Sequence, residues 1–276
     1  MNLAIRFLTA GVLAPLLVLL IWWGPVWGWW ILMVAACGLA TWELADFSQP
    51  KGHGRERVAI VAAACAVCAT VCVAPGWALG AFAAGTIGLA TMYLLGFREM
   101  PTAAPRLALG LSAMLLVGLP IGLLGQVRAL PHGSGWVTLG LVATWLGDTG
   151  GYFFGKYLGK DGAKLYPAIS PNKTWIGAFG GVVGAGVAAA LAAGWFMRGQ
   201  LHALTLVAVA LPLAPAGIAG DLVESLLKRT FGVKDSGALL PGHGGLLDRI
   251  DAILFTAPAL YYLAAVLAPW LESLLH

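Results

Sequence analysis

Nine runs of about twenty apolar residues follow one another along this chain, and they leave it few ways to fold. A helix needs about 20 apolar residues to cross the hydrocarbon core of a bilayer. The runs lie near residues 4–23, 27–46, 57–74, 77–96, 105–127, 135–155, 174–197, 202–223 and 250–271. The predicted fold is therefore all-α, a polytopic integral membrane helix bundle of about nine transmembrane helices. Composition agrees: 60% of residues are hydrophobic and 10% charged, against roughly 25% charged in soluble domains. The first run continues through "LAPLLVLLIWW", too long for the apolar stretch of a signal peptide, so it reads as a first span and no cleavable leader is expected.

Joins such as "GPVW" and "APGW" are short, which predicts antiparallel neighbours. With nine spans, 14 of the 16 Lys and Arg fall on the side of the N-terminus, and only Arg128 and Arg198 fall opposite. Positive charge concentrates on cytoplasmic loops, so the expected orientation has the N-terminus inside, in a cell inner (plasma) membrane. The net charge of +4 is too small to suggest a nucleic-acid partner. Cys65, Cys68 and Cys72 share one apolar run without His, Asp or Glu, and with Cys37 they read as small buried helix residues. Residues 1–276 are expected to form a single transmembrane domain. Its helices over 1–130 would be a scaffold, and its helices over 135–276 would carry two polar segments, 148–174 and 221–251.

The first polar segment reads "GDTGGYFFGKYLGKDGAKLYPAISPNKTWIG". Asp148 lies inside an apolar helix, where a carboxylate costs a few kcal/mol and marks either a site or a polar pairing between helices. "GGYFFGKY" misses the phosphate-binding GxxxxGK[ST] loop, because Tyr157 replaces the hydroxyl and a membrane helix precedes it. "SPNKT" reads as a helix start with Ser170 at the N-cap and Pro171 in the first turn. That places Lys173 near the positive end of a helix, a favourable place for an anion, or simply in water.

In the second segment Asp221, Glu224, Ser225 and Lys228 are spaced i, i+3, i+4, i+7 and share one helix face, with Arg229 beside them. Lys234 to Asp251 follow as "KDSGALLPGHGGLLDRID". Pro241, Gly242, Gly244 and Gly245 permit an irregular backbone whose amides can approach a phosphate. Asp248 and Asp251 share a face at the start of the last helix, where one of them could serve as a cap. Carboxylates suggest a hard cation such as Mg²⁺ completed by substrate phosphates, and interleaved Lys and Arg suggest a polyanion. Together they suit phosphoryl or nucleotidyl transfer.

Ser225 to Asp251 resembles the signature of the phosphatidate cytidylyltransferase (CDP-diacylglycerol synthase) family, S-x-x-K-R-x4-K-D-x-G-x3-P-G-H-G-G-x2-D-R-x-D, at every fixed position. "GDTGGYFFGK" and "ISPNKTW" resemble its other blocks. Two positions depart from it: Ile176 stands where an acidic residue is common, and Lys156 where arginine is common, which keeps the charge and loses the bidentate fork. The resemblance implies transfer of a cytidylyl group from CTP to phosphatidic acid, dependence on Mg²⁺ alone or with a second cation, a homodimer, and an active site on the cytoplasmic side. Asp221 and Asp248 are the first candidate metal ligands, followed by Asp148 and Asp251. Lys228 and Arg249 join Asp221 and Asp248 as catalytic candidates. Ser225, Arg229, Lys234, His243, Gly244, Gly245, Lys173 and Asn172 are the substrate-binding candidates. The alternatives are a membrane transporter of a phosphorylated lipid or anion, and a CDP-alcohol phosphotransferase, whose D-x2-D-G-x2-A-R pattern "DRIDAILF" lacks.

Overall fold

A computed structural model of the protein describes residues 3–49, 54–96, 100–160, 162–237 and 244–275. Each predicted span is helical. The elements are α1 (Leu3–Trp22), α2 (Val26–Ser48), α3 (Gly54–Val73), α4 (Ala78–Gly96), α5 (Met100–Ala113), α6 (Leu119–Val127), α7 (Gly133–Tyr157), α8 (Trp175–Leu191), α9 (Ala203–Ala210), α10 (Leu213–Thr230), α11 (Leu247–Tyr262) and α12 (Ala268–Leu275). Single widened turns, Met114–Gly118 and Leu263–Leu267, join α5 to α6 and α11 to α12, so each pair makes one long rod. Among the described residues, seven rods are long and apolar enough to cross a membrane. Large apolar side chains such as Trp77, Leu94, Leu95 and Trp195 are exposed. Helices satisfy their own backbone groups, which is what a lipid surround demands.

The chain divides into two compact units, 1–126 with 231–250, and 127–230 with 251–276. In the first, Trp29, Ile60, Val67, Val71, Met114 and Val117 form a buried core. Several polar groups in it find partners, as burial favours. The indole N–H groups of Trp29 and Trp30 donate to the Leu124 and Gly125 carbonyls, both at 3.2 Å. Arg106 is buried, with Nε on Gln49 Oε1 at 3.0 Å and a terminal nitrogen on Glu56 Oε2 at 2.5 Å. Cys37, Cys68 and Cys72 are buried free thiols, as their apolar setting in the sequence implies.

In the second unit α7 and α8 approach at backbone distance. A Cβ added to Gly184 would overlap the Leu146 carbonyl, and one added to Gly150 the Gly180 carbonyl, so only glycine admits this spacing. Small residues let membrane helices approach in this way. Between the two helices the chain makes a short antiparallel hairpin, β1 (Lys164–Tyr166) with β2 (Ser170–Thr174), pairing Lys164 with Thr174 and Tyr166 with Ser170.

That hairpin corrects one expectation. Ser170 does not cap a helix, and Pro171 is not in a first turn; both lie in β2. The N-cap of α8 is Thr174, whose Oγ1 accepts the Gly177 N–H at 3.0 Å. Strand pairing engages residues 170–174, and Thr174 is as good a capping residue as Ser170. Lys173 consequently sits one residue before the cap.

Candidate functional site

Asp148 lies on α7, Lys173 at the end of β2, and Asp221 and Ile218 on α10. All four line one pocket of about 620 Å³. Gly147, Gly151, Gly155, Gly177 and Gly181 from the close α7–α8 pair form much of its wall, which leaves room between two helices that bulkier side chains would fill. The hairpin and the end of α7 add Lys156, Lys160, Lys164, Ser170 and Asn172. Four lysines and two carboxylates thus open into one cavity with a partly apolar wall. Such a cavity suits a ligand with several negative charges and an apolar or heterocyclic portion.

Within it Lys173 Nζ lies 2.5 Å from Asp221 Oδ2, and both side chains are partly exposed. The Ser225 hydroxyl, one turn along α10, donates to Asp221 Oδ1 at 3.3 Å. The Asp148 carboxylate is close enough to feel both the negative charge of Asp221 and the positive charge of Lys173. Asp251 on α11 feels Asp221, Asp148 and Lys228, and its Oδ1 accepts the Ala252 N–H at 2.7 Å. Three carboxylates thus influence one another, with Lys173 and Lys228 as counter-charges. Among the described residues no three His, Cys, Asp or Glu side chains are grouped so as to hold a metal ion by themselves. Mg²⁺ does not require such a group, since it is commonly held by one or two carboxylates, water and substrate phosphates.

The predicted α10 face is present. Lys228 pairs with Glu224 one turn earlier, and both side chains are nearly buried, at 14% and 5% exposure. Arg229 is exposed at the end of the same helix. Of the sequence-predicted residues, Asp148, Asn172, Lys173, Asp221, Ser225, Lys228, Arg229 and Asp251 therefore belong to this unit.

Lys234, Gly244, Gly245, Asp248 and Arg249 belong to the other unit. There Asp248 is in the first turn of α11. Its Oδ2 accepts the Ser236 N–H at 2.9 Å and the Gly245 N–H at 3.1 Å. Gly244 has φ +79, a left-handed conformation natural to glycine. Lys234 and Arg249 are exposed. His243, with Pro241 and Gly242, lies outside the described residues.

Two features of the structure were not evident from the sequence. Lys160 and Lys164 counted only toward orientation, and Lys156 beyond that only as a departure from the family pattern, yet the hairpin and the end of α7 bring all three into the pocket with Lys173. A hairpin of three- and five-residue strands between two membrane helices carries no periodic signal that would have placed them. Glu43 was also missed. It is buried on α2, 5% exposed, and accepts hydrogen bonds from Ser236 Oγ (3.2 Å), Leu246 N (2.9 Å) and Leu247 N (2.8 Å). The rule that singled out Asp148, a carboxylate within an apolar helix, applied equally to the "TWELADF" of α2.

Comparison with known proteins adds the following. The profile of the Cytidylyltransferase family matches residues 4–267. A phosphatidate cytidylyltransferase of Bacillus subtilis is 47% identical over 137 residues, 49% of each chain. One from Staphylococcus epidermidis is 46% identical over 125 residues, 45% of this chain and 47% of its own. One from Staphylococcus aureus is 47% identical over 125 residues, with the same coverage. The chain thus spans about half the length of the curated relatives it matches.

Proposed function

The chain belongs to the cytidylyltransferase family, and from that premise we propose that it transfers the cytidylyl group of CTP to phosphatidic acid, giving CDP-diacylglycerol and pyrophosphate. The observation that carries this reading is the pocket, in which Lys156, Lys160, Lys164 and Lys173 face the same cavity as Asp148 and Asp221. A triphosphate and a lipid phosphate together bring more negative charge than any other part of these substrates, and lysine is a common phosphate partner. No observation favours the transport alternative.

In this reading a phosphate oxygen of phosphatidic acid attacks the α-phosphorus of CTP. A new P–O–P bond forms, the α–β anhydride bond breaks, and pyrophosphate leaves. The attacking phosphate is already largely ionised near neutral pH, so no strong general base is needed. Lys173 would hold a phosphate beside Asp221 once their pairing loosens, and Lys156, Lys160 and Lys164 would neutralise the remaining phosphates. Such preorganised charge acts most strongly where charge develops in the transition state. Asp148, Asp221 and Asp251 would hold Mg²⁺, which when bound supplies charge neutralisation to the phosphates. Asp248 is a further candidate ligand on the resemblance alone. The N-terminus and the pocket would face the cytoplasm, the membrane would be the inner one, and the protein would work as a homodimer.

Nucleotide choice tests the reaction. Purified protein in detergent with phosphatidic acid and Mg²⁺ should release pyrophosphate with CTP, should do so far less with ATP, GTP or UTP, and should stop when EDTA is added. Equal use of all four nucleotides would contradict the proposal.

A further inference from the structure

We propose that Glu43 is a positioning residue for this reaction, capping α11 from α2 and thereby setting the carboxylate of Asp248; the inference rests on the function proposed above. The first N–H groups of a helix have no intrahelical partner and normally take a side-chain acceptor from the residues just before them. Ahead of α11 stand Gly244, Gly245 and Leu246, none of which has one. The acceptor comes instead from about 200 residues away. Glu43 Oε1 takes the Leu246 N–H at 2.9 Å and Oε2 takes the Leu247 N–H at 2.8 Å. A carboxylate at this end of a helix also meets the positive pole of its dipole.

The hold extends beyond the cap. The Ser236 hydroxyl donates to Glu43 Oε2 at 3.2 Å and accepts the Asp248 N–H at 3.3 Å, while the Ser236 N–H donates to Asp248 Oδ2 at 2.9 Å. Gly245 donates its N–H to the same Oδ2. Two glycines make room for Glu43. A Cβ on Gly245 would come 2.6 Å from Glu43 Oε2, and one on Gly237 3.0 Å from Oε1. One buried carboxylate thus holds Ser236 directly and lies close against Gly245, two groups that donate to Asp248. A cap serving stability alone needs a single local acceptor and neither of these glycines. Displacing a reacting group by about 1 Å can cost on the order of a hundredfold in rate, so the precision of this hold should be legible in turnover.

The test compares wild type, E43Q, E43D and S236A as purified full-length protein, by amide hydrogen exchange and by steady-state kinetics with CTP and phosphatidic acid. E43Q keeps the shape of the side chain but only one acceptor oxygen. It should speed exchange at Leu246 and Leu247, and lower kcat per folded molecule by about a hundredfold with both KM values little changed. E43D, which keeps both oxygens on a shorter stem, should recover part of kcat. S236A removes one donor and should lower kcat in the same direction even where E43Q folds poorly. A merely structural role predicts lower thermal stability with wild-type kcat in the folded fraction, and that result in E43Q or S236A overturns the proposal. Wild-type protein inactive with CTP and phosphatidic acid overturns the assigned reaction, whereas unchanged exchange at Leu246 and Leu247 in E43Q overturns the hold itself, so the two failures separate.

Discussion

Asp221 sits between two kinds of partner. Its Oδ2 faces Lys173 and its Oδ1 the Ser225 hydroxyl, yet it also shares a pocket with Asp148, a like charge. A structural ion pair gains nothing from that second carboxylate, whereas a bound cation does. D221N should therefore abolish pyrophosphate release from CTP while leaving expression and thermal unfolding near wild type, since the partly exposed Lys173 can turn to water. Wild-type turnover in D221N at saturating Mg²⁺ would remove Asp221 from the metal set. K173A should cost about 10²–10³ in rate, the usual loss for one transition-state contact, measured as kcat/KM for CTP. Lys228 is held differently, because its partner Glu224 is almost wholly buried. K228A should destabilise the protein by about 3–5 kcal/mol, the common result of breaking a buried pair. Adding E224Q should restore thermal stability without restoring activity if Lys228 also serves the substrate; recovery of both would confine it to structure.

The element that shapes the pocket is the α7–α8 pair, and glycine is what allows it. G184A would push a methyl into the Leu146 carbonyl, and an overpacked site typically costs about 1–3 kcal/mol. The melting temperature should fall, and the reaction should slow because the wall beside Asp148 moves; an unchanged melting temperature would show that the helices can part freely. At this scale much was legible beforehand. Helix-length apolar runs gave every rod its place, and the i, i+3, i+4, i+7 face of Asp221, Glu224, Ser225 and Lys228 is realised on α10, with Ser225 on Asp221 and Lys228 on Glu224. Asp148 stood out because charge inside an apolar run has few explanations. The hairpin did not stand out: "ISPNKTW" is compatible with a capped helix, and pairing with Lys164–Tyr166, a non-local interaction, moves the helix start to Trp175. The hold on α11 was hidden for the same reason, since no local pattern links Glu43 to Leu247.

For the whole molecule, the distribution of Lys and Arg is the strongest statement about the membrane. Arg128 and Arg198 should lie outside the cytoplasm and Lys164 inside. In a background lacking the four native cysteines, a cysteine at 128 or 198 should react with an impermeant maleimide in intact cells, and one at 164 only after lysis; the reverse pattern would invert the orientation. The division into units, 1–126 with 231–250 and 127–230 with 251–276, assigns Asp248 and Asp221 to different parts of the fold. Function therefore has to be judged on the full chain. The most direct measurement follows the phosphorus atoms. Purified protein is given phosphatidic acid, Mg²⁺ and CTP labelled at either the α- or the γ-phosphorus. The α-label should appear in the lipid phase and the γ-label in pyrophosphate, in equal amounts. Label from the γ-phosphorus in lipid, or pyrophosphate released with no label reaching lipid, would contradict the proposed reaction.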